Sequence, residues 1–138
     1  MGLTHYWRRP PILLPRDFAR AVDDCQEILP QLGVALADGP GPAVIKEDRI
    51  SFNGVPPQRC ESFVVRQRER PQRDHLYVFS FTKTNGLPYD LCVRVALIIL
   101  QQHLGSDLEV NSDDAHWDEA CKLCVEHLGY GREFHLGR

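Results

Sequence analysis

The sequence predicts a single α+β domain over residues 1–138, with about three helices packed on a mixed, mostly antiparallel sheet. Three observations predict it. Apolar residues make up 43% of the 138 residues, enough for one core without staples. Strand-like and helix-like periods follow one another in the order β-α-β-β-β-β-α-β-α. The stretch from Leu76 to Asn111 reads as strand–helix–strand, so that if both strands share a sheet they lie parallel and end on one edge. That edge would bring Lys83, Thr84 and Asn85 near residues 111–114.

Leu3 to Arg8 is an aromatic-rich strand, followed by the stiff connection RRPPILLP. Phe18, Ala21, Val22, Cys25, Ile28 and Leu29 recur at helical spacing, with Pro15 and Asp17 suited to the first turn and Pro30 and Gly33 ending the helix. ADGPGP (37–42) reads as a loop. Ala43 to Phe52 reads as a hairpin turning at Glu47-Asp48, and Asn53-Gly54 is a further turn signal. Ser62 to Arg66 is a strand, RQRERPQRD a polar surface loop, and Leu76 to Thr82 a strand of β-branched and aromatic residues. Pro88 to Leu104 is apolar nearly all round and so predicts a central, buried helix that stops at Gly105. Asp107 to Asn111 is a short strand, and a last helix runs from about Asp114 to Leu128. The tail 130–138 is expected to add an edge strand or to lie loose.

Composition weighs against several classes of function. The net charge of −3 makes nucleic acid an unlikely partner, although Arg66, Arg68, Arg70 and Arg73 crowd one stretch and Arg8 and Arg9 another. The N-terminus does not read as a signal peptide, and the apolar run Val95–Leu100 is far too short to span a bilayer. A cytoplasmic protein is expected, its five cysteines reduced.

Four stretches carry chemistry. In TKTNG, Lys83, Thr84 and Asn85 lead into a helix N-terminus, where free N–H groups favour an anion, though Asp90 competes for the same positive end. Strand alternation sets Tyr77, Phe79, Phe81 and Lys83 on one face. In NSDDAHWD (111–118) the acids and His116 suggest a divalent cation, but Ser112 or Asp113 serves equally as an N-cap. CKLCVEH has zinc-like C-x-x-C spacing but no second half-site, and Cys121 and Cys124 fit an apolar helical stripe, so no metal is expected. In THYW, alternation puts His5 and Trp7 on one face and Thr4 and Tyr6 on the other. An aromatic there, beside Arg8, suits a stacked base and its phosphate.

Together Thr4-His5-Tyr6-Trp7, Phe52-Asn53-Gly54, Glu61-Ser62-Phe63, Phe81-Thr82-Lys83-Thr84, Pro88-Tyr89-Asp90, Ser112-Asp113 and Trp117 resemble an uncharacterised family of small bacterial and phage proteins. The resemblance carries no activity. It implies that these motifs belong together, brings Tyr89 into the candidate set, and suggests a part in the contest between phage and host, such as sequestering a nucleotide signal.

The reading placed first is a binding module for an anionic, nucleotide-like small molecule, with His5, Tyr6, Trp7, Arg8, Lys83, Thr84, Asn85 and Tyr89 as ligand-binding residues and no cofactor. The second is a protein-interaction domain, a homodimer using Tyr130, Phe134, His135 and the 66–73 loop. The third is a small hydrolase or phosphodiesterase with His5 or Asp113 as base and Lys83 steadying developing charge.

Overall fold

A computed structural model describes residues 2–137. Among the described residues three α-helices and eight strands follow the chain: β1 (Thr4–Arg9), α1 (Pro15–Ile28), β2 (Leu36–Asp38), β3 (Gly41–Pro42), β4 (Val44–Lys46), β5 (Arg49–Gly54), β6 (Phe63–Arg66), β7 (Val78–Lys83), α2 (Asp90–Leu104), β8 (Glu109–Ser112) and α3 (Asp118–Leu128). The architecture is α+β, as composition and period predict. The strands divide between two antiparallel sheets, one ordered β7-β1-β8 and one built around β5.

β7 and β8 both run antiparallel to the central β1, so they are parallel to each other with β1 between them. Their C-terminal ends therefore share an edge with the start of β1. Leu3 accepts the backbone N–H of Thr84 and Thr4 accepts that of Asp113. The three segments 4–8, 82–90 and 111–114 meet there.

Three expectations about elements change. ADGPGP is not only a loop: β2 and β3 form a tight hairpin within it, too short and too rich in Gly and Pro to read as strand from composition. Helix α3 starts at Asp118, with Trp117 before it and no side-chain cap, so neither Ser112 nor Asp113 caps it. The tail is not loose. His135 is held to Gln101 by two hydrogen bonds, and the Gly137 N–H donates to Val110. Arg138 lies outside the described residues.

One core joins both sheets and all three helices. Trp7 packs on Phe63 at 5.1 Å and Phe63 on Phe52 at 5.3 Å, a ring chain from one sheet into the other. α2 is buried along almost its whole length, as an all-round apolar helix must be. Arg9 is also fully buried. Its guanidinium donates to the Pro11, Arg66 and Gln67 carbonyls and pairs with Glu69 at 2.8 Å. It clamps the arginine-rich loop to β1 and does not face solvent. Among the described residues, no helix is long and apolar enough to cross a membrane.

Gly54 shows why the Phe52-Asn53-Gly54 turn demands glycine. A Cβ there would lie 1.8 Å from the Gln58 carbonyl oxygen and 3.1 Å from the Tyr89 ring. The Asn53 side chain holds the same turn closed, accepting from the Gly54 and Cys60 N–H groups and donating to the Cys60 carbonyl.

Candidate functional site

The β7-β1-β8 sheet sorts the candidate residues into two groups. Alternation along β1 sends His5 and Trp7 inward and Tyr6 and Arg8 outward; on β7 it sends Thr82 inward and Phe79, Phe81 and Lys83 outward. Thr84 and Tyr89, in the turn that follows β7, are buried as well. His5, Trp7, Thr84 and Tyr89 thus lie inside the molecule, while Tyr6, Arg8, Lys83 and Asn85 reach its surface.

The inner group centres on Asp90. Its Oδ1 accepts from His5 Nε2 at 2.6 Å and from the Thr84 hydroxyl at 2.5 Å, and its Oδ2 from Arg94 Nε at 2.6 Å. His5 Nδ1 is 2.8 Å from Ser112 Oγ. Arg94 extends the network to Asp114 at 2.9 Å and to the His116 carbonyl. The Trp117 ring closes it, edge-on to His5 at 5.1 Å and 5.1 Å beneath the Arg94 guanidinium. Burial pushes the Asp90 carboxyl up, but the hydrogen bonds from His5, Thr84 and Arg94 outweigh it and hold the group below its ordinary value. The Asp114 carboxyl is lowered too, first by the His116 backbone N–H and then by Arg94, against a smaller opposing effect of burial.

This arrangement changes the account of the α2 N-terminus. Asp90 sits in the first turn and occupies the positive end of the helix that a bound anion would need. The Thr84 hydroxyl, expected to face a ligand, points at that carboxylate. Asn85 takes a left-handed turn at φ 56°, and Gly86 follows at φ 70°.

Ser112, His5 and Asp90 stand in the order of a hydrolytic relay. His5 has no exposed surface. Of the N–H groups around Ser112, that of Asp113 goes to Thr4, that of Asp114 to Ser112 Oγ itself and that of His116 to Asp114. The cleft of about 200 Å³ beside Asp90 is lined by Arg94 but also by Asp114 and Glu119, so carboxylates outnumber the cation there. Asp113, the alternative base, accepts from the Thr4 N–H and the Tyr6 hydroxyl on the surface.

Cys121 and Cys124 lie on α3, Cys124 fully buried, where burial pushes its thiol up to about 12. Among the described residues no three His, Cys, Asp or Glu side chains gather as metal ligands. A larger cavity of about 520 Å³ lies between the C-terminal tail, the end of α2 and β8; Phe134 and His135 line it, and none of the proposed ligand-binding residues does.

The outer group forms a grid. Lys83, Thr4 and Asp113 make one row; Phe81, Tyr6 and Asn111 the next; Phe79, Arg8 and Glu109 the third. Tyr6 and Phe81 are neighbours at 6.5 Å, and the Arg8 guanidinium lies 4.5 Å over the Tyr77 ring. Phe79 is 48% and Phe81 62% exposed, Tyr6 and Tyr77 each 41%. Strand alternation pointed to these phenylalanines, but only the register of β7 against β1 sets them beside Tyr6.

The other motifs gather behind the Lys83 end of the grid. Glu61 exchanges two hydrogen bonds with the Lys83 backbone, Thr82 donates to Ser62, and the Tyr89 hydroxyl donates to the Glu61 carbonyl. No family model, curated protein or solved structure matches this chain.

Proposed function

We propose that the chain is a binding module for a nucleotide-like anionic ligand, held on the outer face of the β7-β1-β8 sheet. One observation carries the reading: Tyr6, Phe79 and Phe81 stand exposed on a sheet whose opposite face builds the core, and Tyr77 is exposed just before β7. The open face of such a sheet is ordinarily polar, and clustered exposed apolar surface marks a contact site. The Tyr6–Phe81 pair supplies a ring surface for a base, with Lys83 at one end of it and Arg8 at the other. Among the described residues neither cation is in an ion pair.

The ligand-binding set on this reading is Tyr6, Arg8, Lys83 and Asn85, joined by Phe79 and Phe81. His5, Trp7, Thr84 and Tyr89 support the sheet from within. Asp113, the carboxylate beside Tyr6, is held by the Thr4 N–H and the Tyr6 hydroxyl, and His5 is enclosed; on this reading a bound nucleotide is returned intact, which suits sequestration. Calorimetric titration with nucleoside mono- and diphosphates tests the reading. Lys83→Ala is expected to weaken binding at least tenfold, since a charge-assisted hydrogen bond contributes roughly 1.5–3 kcal/mol. Unchanged affinity in that variant would remove Lys83 from the site.

A further inference from the structure

We infer that the ligand of this face is a short single-stranded nucleic acid, about three nucleotides lying along β7, an inference that rests on the binding site proposed above. Ring spacing is the first reason. Phe79 and Phe81 are two residues apart on β7, which sets their Cα positions about 6.6–6.8 Å apart along the strand, and the exposed Tyr77 stands just before it. Bases stacked in a helix rise about 3.4 Å per nucleotide, too closely for each to meet its own ring. Splayed bases of a single strand match the spacing, one per ring, whereas a duplex hides its base faces. A mononucleotide would cover one ring and leave the others in water.

Charge is the second reason, and it sets the direction. The β8 side of the grid carries Glu109 and Asp113, whose carboxylates repel a phosphate chain. The β7 side carries Lys83 at one end. At the other end the Gln72 side chain bonds the backbone of Phe79, and His75 lies edge-on to the Phe79 ring at 5.6 Å. This docks the loop that bears the exposed Arg70 and Arg73 against the same edge. Cations thus flank rings that lie along about 14 Å of strand from Phe79 to Lys83. The net charge of −3 argues against a broad grip on a polyanion. A local track needs none, because stacking holds the bases and only two or three phosphates meet a cation.

Fluorescence anisotropy with a labelled six-nucleotide single strand tests the inference, with a mononucleotide and a duplex of the same sequence as competitors. The hexamer is expected to bind at least tenfold more tightly than the mononucleotide, and the duplex not to compete. Phe81→Ala and Tyr6→Ala, both at exposed positions and so compatible with the fold, are each expected to lose about fivefold or more. Affinity is expected to fall only gently with salt, with a logarithmic slope of about −2, as for two or three phosphates. Equal affinity for hexamer and mononucleotide, both weakened by Phe81→Ala, would overturn this inference and leave the proposed binding site standing. Equal competition by the duplex would overturn it as well. Hexamer binding untouched by either aromatic variant would overturn both readings. So would a wild-type dimer that binds no nucleotide and that Phe81→Ala dissociates, which would make this face a contact between two copies of the chain.

Discussion

Asp90→Ala is expected to destabilise the fold by about 3–5 kcal/mol, a large part of the roughly 5–15 kcal/mol that holds a domain of this size. The loss does not measure what the carboxylate contributes in isolation. It reflects what removal leaves behind: the Arg94 guanidinium, the His5 ring and the Thr84 hydroxyl, all buried and all stripped of the same acceptor. Urea denaturation at neutral pH measures it directly. Asp48→Ala, which breaks the exposed pair with Arg49, serves as the contrast and should cost about 0.5 kcal/mol or less. The pH dependence has a definite sign. The folded-state carboxyl of Asp90 is held below its ordinary value, so its contribution is complete above the unfolded value of about 4. It is lost as the pH falls through the lower folded value. The gap between wild type and Asp90→Asn should therefore stay constant from pH 7 to about 5 and narrow only in stronger acid. A gap below about 1 kcal/mol at neutral pH would show that water or a shifted neighbour replaces the carboxylate.

Arg94 is where the sequence held a signal that period alone did not expose. It is the one charged residue in the run LCVRVALIIL, inside a helix that its neighbours require to be buried. A buried guanidinium needs a carboxylate, and Asp90 lies four residues before it on the same helix face. Reading Asp90 instead as a competitor for an anion at the helix end recognised the position but not the partner. The alternation of β1 and β7 was legible because a two-residue period leaves no third choice: once Trp7 and Val78 are inside, Tyr6, Phe79 and Phe81 are outside. The start of α3 was not legible. Residues 113–117 look like a capped first turn, yet the chain there is held by contacts distant in sequence, from Arg94 to Asp114 and from Asp113 to Thr4. The β2–β3 hairpin was hidden because two-residue pairings leave no periodic trace. The tail was hidden because its anchors, Trp117 and Gln101, belong to other elements.

Truncation after Gly129 is expected to cost about 3–4 kcal/mol. Tyr130, Phe134 and Leu136 are each partly buried against the core, and full burial of such a side chain contributes about 1.5–3 kcal/mol. Roughly half of that for each of three side chains gives most of the figure. The hydrogen bonds of His135 to Gln101, of Gly137 to Val110 and of the Tyr130 hydroxyl to Asp24 give the rest. If the tail instead joins two copies of the chain, truncation would change the mass of the assembly in solution and leave monomer stability nearly intact; analytical ultracentrifugation and urea denaturation on one sample separate the two outcomes. The loss should also reach the buried network. Phe134 stacks on Trp117 at 4.9 Å, and Trp117 in turn touches His5 and covers Arg94. Phe134→Ala alone is therefore expected to cost about 2 kcal/mol and not to add independently to Asp90→Ala. A coupling of at least about 0.5 kcal/mol in the double-mutant cycle is expected for groups joined through a shared ring. Strict additivity would mean that Trp117 keeps its place without Phe134, and that the tail covers the core without ordering the site beneath it.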